Sequence, residues 1–119
     1  MSMEVLMDSI LDSVKDKIAG GAIHEHFDNA LIDDINAVLV DLRQIGIGPE
    51  DGFYITGNSE TWADFLGEDK AMQESVATLV ALKVRLIFDP SASGAITETI
   101  NKQIDRLEWR LNVNYEIGV

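Results

Sequence analysis

The sequence predicts an all-α fold, a small bundle of about four helices formed by a single domain that covers residues 1–119. Apolar residues recur at the helical spacings of three and four in four segments, whereas the β-prone stretches are too short to build a sheet core. The length allows one domain with a modest core, and the 46% apolar content argues against wholesale disorder.

The first predicted helix covers residues 3–19, and the second begins at Asp28. The apolar stripe of the first helix is Met3, Met7, Ile10, Val14 and Ile18, and Gly20-Gly21 ends it. Asp28 is the predicted N-cap of the second helix, because its carboxylate can accept from the free amides of the first turn. Phe27 and Ile32 have the spacing of a hydrophobic staple. The stripe of this helix is Leu31, Ile35, Val38, Leu39 and Leu42, and Gly46-Ile47-Gly48-Pro49 ends it.

Residues 49–69 form the one long connection, which the sequence predicts to be a long loop or hairpin arm with a role of its own. It contains a short β-prone piece at 53–56. Thr61 and Asp64 fit a capping box that opens a short helical turn over residues 62–66. Its aromatic residues are Phe53, Tyr54, Trp62 and Phe65.

The third predicted helix, residues 70–88, is apolar nearly all round after Val76, which is typical of a central helix. In so small a bundle such a helix leaves apolar surface uncovered unless another chain covers it, so the pattern favours an oligomer. Asp89-Pro90 ends this helix. A fourth helix is predicted over about residues 95–112, and residues 113–119 are a possible tail.

The formal charge of −12 comes entirely from residues 1–69, which hold 15 of the 21 acidic residues and three of the nine basic ones. This balance argues against a surface that binds nucleic-acid phosphates. Acidic residues line the first two predicted helices: Glu4, Asp8, Asp12 and Asp16 on the first, Asp33, Asp34 and Asp41 on the second. On the first helix the acids are interpretable as a solvated face, a surface shaped by electrostatics, or a divalent-cation site.

No catalytic constellation stands out, so we predict no enzyme activity and no cofactor. The absence of cysteine removes disulfides, thiolate zinc sites and thiol nucleophiles. His24, His26 and Asp28 are metal-ligand types, but they lack the His-Glu-x-x-His spacing and are interpreted as loop residues and a helix cap. A metal-dependent enzyme that uses the two histidines is a weaker alternative. Arg106 and Arg110 are interpreted as partners in ion pairs. The chain has no basic leader and no apolar run long enough to span a bilayer, so we expect a soluble intracellular protein without membrane partners.

Several stretches, taken in order, resemble the head-tail connector proteins (adaptor or head-completion proteins) of long-tailed bacteriophages and prophages. They are FDNALIDDIN at 27–36, GIGPEDGF at 46–53, WADFLG at 62–67, LKVRLIFDP at 82–90 and EWRLN at 108–112. The resemblance covers roughly residues 27–115.

The resemblance implies a structural virion protein, assembled in the host cytoplasm and located at the head-tail interface. Such subunits typically form a twelvefold ring under the portal, extend the DNA channel and present a platform for the next neck or tail protein. The long loop and the C-terminal segment commonly contact the portal or neighbouring subunits. Here the candidates for these contacts are Phe53, Tyr54, Trp62, Phe65, Trp109 and Arg110.

A negative channel wall would let DNA pass without binding, and either acidic helix could supply that wall. The sequence leaves open which helix does so. It also leaves open a different class of function, in which the chain is an acidic helical binding module, such as a phage regulator or DNA mimic, that acts on a host protein.

Overall fold

The computed structural model describes residues 9–19, 25–88 and 94–117, with side chains in the last helix described as far as Leu111. The helices are α1 (Ile10–Ala19), α2 (Asp28–Gln44), α3 (Trp62–Leu66), α4 (Lys70–Phe88) and α5 (Gly94–Ile117), and a 3-10 turn (Glu25–Phe27) precedes α2. The all-α prediction is confirmed: the described part of the chain has no strand, only an isolated bridge between Ser9 and Thr61.

Helix α4 is the centre of the bundle, as its apolar sequence predicts, and its bounds are those predicted. Helices α1, α2, α3 and α5 all pack against it. Val76, Leu79, Val80 and Val84 of this helix are fully buried. Because it is covered on most sides, α4 holds the other helices in place and leaves their outer faces to solvent.

Helix α2 begins at Asp28 as predicted, but its N-cap differs from the prediction. The N-cap residue is Phe27, which makes no side-chain capping bond, and Asp28 is already helical. The 3-10 turn runs directly into the helix, and the Asp28 carboxylate instead accepts a hydrogen bond from Lys15 Nζ of α1 at 2.8 Å. The Phe27 ring packs on Phe88 at the end of α4, with centroids 5.9 Å apart.

The C-terminal prediction also needs correction, because α5 extends to Ile117 and residues 113–117 are helical rather than a tail. Lys83 of α4 and Glu108 of α5 form an ion pair at 2.5 Å that ties these helices together. The prediction of one helix over residues 3–19 is also wrong at Ser9, which forms a bridge with Thr61, and the Ile10 amide donates to the Glu60 carbonyl at 3.0 Å, so α1 begins at Ile10. Other predictions lie outside the described residues: the helical turns at 3–8, the glycine stop at 20–21 and the Asp89-Pro90 stop.

The long loop after α2 lies against the helices instead of projecting as an arm. Its β-prone piece forms no strand; instead, the Asn36 side chain of α2 pairs with Ile55 as a neighbouring strand would. Asn36 Nδ2 donates to the Ile55 carbonyl at 3.0 Å, and the Ile55 amide donates to Asn36 Oδ1 at 2.7 Å. Ile47 and Ile55 are buried, so this segment is part of the core.

The capping box predicted at the start of α3 is confirmed. Thr61 Oγ1 accepts from the Asp64 amide at 3.1 Å, and the Asp64 carboxylate accepts from the Thr61 amide at 3.0 Å. The two reciprocal bonds satisfy free amides at the helix start and fix the direction in which α3 leaves the loop.

Candidate interaction surfaces

Three of the four loop aromatics hold the loop to the bundle. Trp62 and Phe65 are each only 4% exposed, and the indole N–H of Trp62 donates to Ser13 Oγ of α1 at 2.8 Å. Half-buried Phe53 packs on Phe65 with ring centroids 5.1 Å apart. A partner protein cannot reach the buried pair without opening the fold, so their evident role is in the core of the subunit.

The remaining predicted contact residues are on the surface. Tyr54 is 69% exposed at the outer side of the loop, and Trp109 is 70% exposed on α5 next to exposed Arg110. Burying an aromatic ring removes a large apolar area from water, which is favourable. Tyrosine, tryptophan and arginine are also enriched at protein interfaces. Tyr54 and Trp109 therefore mark two separate surfaces that gain from being covered.

The acidic candidates divide between two helices. On α1, Asp12 is half-buried and Asp16 is exposed; Glu4 and Asp8 lie outside the described residues. On α2, Asp33 and Asp41 are exposed and Asp34 is half-buried. Partial burial, together with the neighbouring Asp33 carboxylate, raises the pKa of Asp34 above its ordinary value.

Sequence reasoning did not single out a basic stripe on α5. Lys102, Arg106 and Arg110 follow one another at intervals of four, and all three are exposed. The signal was present in this spacing, but the acids Asp105 and Glu108 beside it favoured the interpretation that these arginines form ion pairs within the helix or between subunits. The sequence analysis also did not predict that Val40 on α2 is 56% exposed.

The structure supplies little that resembles a catalytic or metal site. Within the described ranges, no group of three or more histidine, cysteine, aspartate or glutamate side chains is placed to hold a metal ion. His26 lies in the 3-10 turn with its ring 4.0 Å from that of Phe27, while His24 lies outside the described residues. None of the described helices combines the length and hydropathy that a membrane span requires.

One carboxylate does organise the loop. Glu60 accepts hydrogen bonds from the Thr56 amide at 2.9 Å, from Thr56 Oγ1 at 2.8 Å and from the Gly57 amide at 3.4 Å. Partial burial alone would raise the pKa of Glu60, but these hydrogen bonds to the ionised form outweigh it and lower the pKa. Glu60 therefore closes the turn at residues 56–60.

The features described so far are a helical bundle with exposed aromatic and charged residues. Comparison with known proteins gives the family: the model of the family described as phage connector protein matches residues 10–118, nearly the whole chain. The chain belongs to the phage connector protein family. No curated protein and no solved structure matches it.

Membership confirms the resemblance seen in the sequence and gives this connector a general role at the junction of phage head and tail. The connector family is structural, and its members work in the virion in association with portal and neck proteins.

Proposed function

We propose that this connector assembles as a closed ring, of twelve subunits, directly below the portal. The ring extends the channel through which DNA passes and presents a platform for the next neck or tail protein. The observation that carries the proposal is the family match over residues 10–118. The exposed aromatics at Tyr54 and Trp109 support it, because tyrosine and tryptophan are enriched at protein interfaces.

The loop surface around Tyr54 is the proposed contact with the portal or with a neighbouring subunit. The loop is held in place by the two hydrogen bonds between Asn36 of α2 and Ile55, and by the buried Trp62 and Phe65 at its end. Because the loop is fixed, the Tyr54 side chain loses little conformational freedom when a partner covers it, which favours binding. Exposed Tyr54 is therefore presented in a conformation that is ready for contact.

An acidic face is proposed to line the channel. Carboxylates repel DNA phosphates, so a negative wall releases no counterions on contact and gives the genome no binding site. The exposed or half-exposed candidates are Asp12 and Asp16 on α1, and Asp33, Asp34 and Asp41 on α2. Residues 70–119 have no net charge and include exposed Trp109, so they are proposed to supply further contacts between proteins.

The test of this function is assembly on the cognate portal. Purified protein is mixed with portal, and the mass of the complex and its image in negative stain are recorded. We expect a ring stacked on the portal, with Tyr54→Ala weakening the association by about tenfold or more. Asn58→Ala, an exposed change in the same loop, is the matched control and should bind as the native chain does.

A native chain that stays monomeric and fails to bind portal would contradict the proposal. Capture of a host nucleic-acid-binding protein in stoichiometric amount, without portal binding, would favour the acidic binding module instead.

A further inference from the structure

Helix α2 has an outer face that is acidic and that no other described element covers. Exposed Asp33, Ala37 and Asp41 follow one another at intervals of four, and exposed Val40 lies beside them. At 1.5 Å per residue, the two carboxylates are about 12 Å apart along the helix. We refer to these four residues as the α2 face.

Helix α5 has an outer face with the opposite charge. Exposed Lys102, Arg106 and Arg110 have the same spacing of four, and they too extend over about 12 Å. Exposed Trp109 lies directly before the last charge, as Val40 does on α2. We refer to these four residues as the α5 face. Glu98, which pairs with Lys102 at 3.6 Å, and Asp105 lie on the same side of the helix, so three basic and two acidic residues share this side. The acidic residues disfavour phosphate as the ligand of this face and favour a protein.

We propose that the α2 face of one subunit binds the α5 face of the next copy in the ring. The inference rests on the proposed ring and specifies how its subunits meet. Each face supplies the charge that the other lacks, and the aromatic and aliphatic side chains beside the charges bury apolar surface when the helices meet. The contact joins two different surfaces, which is what a closed ring requires.

The direction in which the two helices meet depends on how each of them runs along α4. The start of α2 lies against the end of α4 through Phe27 and Phe88, so α2 runs opposite to α4. Lys83 of α4 pairs with Glu108 of α5. In the proposed contact α5 returns along α4, which gives α2 and α5 the same general direction, and the cross-linking experiment tests this direction.

Neighbours in a ring of many subunits are related by a small rotation, so α5 of one copy meets α2 of the next copy in parallel. With the α2 face and the α5 face in register, Asp33 faces Lys102 and Asp41 faces Arg110. Trp109 and Val40 then lie at the same level along the contact. The α2 acids are consequently used between subunits, which leaves Asp12 and Asp16 of α1 as the acids for the channel.

Cysteine cross-linking tests both the contact and its direction, because the native chain contains no cysteine. Ala30 and Thr99 are exposed, uncharged and at matching levels in the parallel register. The double variant Ala30→Cys/Thr99→Cys is placed in particles assembled during infection and treated with a short bis-maleimide. We expect a ladder of covalent oligomers that extends well beyond the dimer.

The controls use the same chemistry. Gln44→Cys/Thr99→Cys places the pair at matching levels only if the helices meet antiparallel, and it should stay monomeric. Each single variant should also stay monomeric, because the contact joins unlike faces. Cross-linked dimers in a single variant, a ladder in the antiparallel control, or no ladder from the parallel pair in particles that contain the protein would overturn the inference.

Charge reversal gives an independent readout. Asp33→Lys/Asp41→Lys and Lys102→Glu/Arg110→Glu should each lower ring assembly on the portal by about tenfold or more, and combining all four changes should restore it. Normal assembly of either reversed pair, or no rescue by the combination, overturns the inference and leaves the connector role standing. Absence of the native protein from portal-containing heads would contradict the proposed function itself.

Discussion

At the scale of single residues, the two tryptophans occupy opposite environments. Trp62 is 4% exposed and its indole N–H is hydrogen-bonded to Ser13 Oγ, whereas Trp109 is 70% exposed. A buried aromatic contributes both its apolar area and its fit with its neighbours, while an exposed one contributes little to the stability of the subunit. The stability of the subunit therefore depends on Trp62, whereas Trp109 is a candidate for contact with another protein.

We expect Trp62→Ala to lower the free energy of unfolding by about 3–5 kcal/mol, because it removes a buried ring and leaves a cavity. The matched change Trp109→Ala should cost less than about 1 kcal/mol. Urea denaturation of the purified chain measures both values. Equal losses from the two substitutions would contradict the assigned environments.

The Glu60 carboxylate makes the stability of the loop depend on pH. Its folded pKa lies below the ordinary value of 4.5, so its contribution is fully present above about pH 4.5 and is lost as the pH falls through the lowered folded pKa. We expect the native chain to be more stable than Glu60→Gln at neutral pH, and this difference should shrink below pH 4.5. Denaturation across pH 3–7, measured for both chains, gives the difference directly.

Glu50→Gln is the control for this prediction, since Glu50 is exposed and accepts none of the three bonds that close the turn. It should leave the free energy of unfolding within about 0.5 kcal/mol of native at neutral pH. A Glu60→Gln chain as stable as the native one at neutral pH would show that the turn does not depend on the carboxylate.

At the scale of elements, the loop between α2 and α3 is held by side chains that are distant in sequence. Asn36 satisfies both the amide and the carbonyl of Ile55, which is itself 1% exposed. A buried backbone group left without a partner is costly, so this one amide side chain replaces the neighbouring strand that the β-prone piece lacks.

Asn36→Ala should therefore lower the free energy of unfolding by about 1–3 kcal/mol, because it leaves two backbone groups of Ile55 without their partners. Asn29→Ala, the same substitution at an exposed position of the same helix, should change it by less than about 0.5 kcal/mol. Hydrogen exchange at the Ile55 amide should become faster in the first variant and stay unchanged in the second.

Substitutions at two loop glycines distinguish the cost of backbone strain from the cost of a steric clash. Gly48 and Gly67 both have positive φ, +93° and +83°, which costs a residue with a side chain about 1–3 kcal/mol. A Cβ at Gly48 would also lie too close to the Phe65 ring, whereas one at Gly67 would meet open space. We expect Gly48→Ala to be more destabilising than Gly67→Ala by about 1–3 kcal/mol in thermal unfolding. A larger loss for Gly67→Ala would refute the packing of Phe65 under the loop.

The elements that were predicted well depend on local signals. The bounds of α4 follow from its apolar run, and the cap of α3 from residues three apart. The predicted N-cap of α2 was wrong because the Asp28 carboxylate binds Lys15 of α1, thirteen residues away, instead of capping its own helix. The end of α5 was wrong because its last turns carry no apolar stripe. The position of the loop depends on Asn36, nineteen residues from its partner, which no local pattern reveals.

The candidate surfaces were predictable in residue type but not in exposure. Aromatic residues in the long loop were correctly singled out, yet the sequence does not distinguish buried Trp62 from exposed Tyr54. That distinction arises from the fold, because the hydrogen bond to Ser13 and the packing on Phe65 orient the indole inwards. Exposure of Trp109 likewise depends on which side of α5 packs on α4.

At the scale of the whole molecule, charge and apolar surface are unevenly distributed. The net charge of −12 belongs to residues 1–69, while residues 70–119 are neutral and include the central α4 and the exposed Trp109. Repeated around a ring, this arrangement would place most acidic residues on one half of each subunit. The proposed pairing of the α2 and α5 faces uses Asp33 and Asp41 between subunits, and Asp12 and Asp16 of α1 are then the proposed acids of the channel wall.

The central claim is that this connector forms a ring on the portal, and the most direct test is the mass of the complex. Native mass spectrometry of the chain bound to its cognate portal counts the subunits. The account predicts one discrete complex in which the connector is present as a full ring of twelve copies. A portal that carries no connector, or a variable number of separately bound copies, would contradict it.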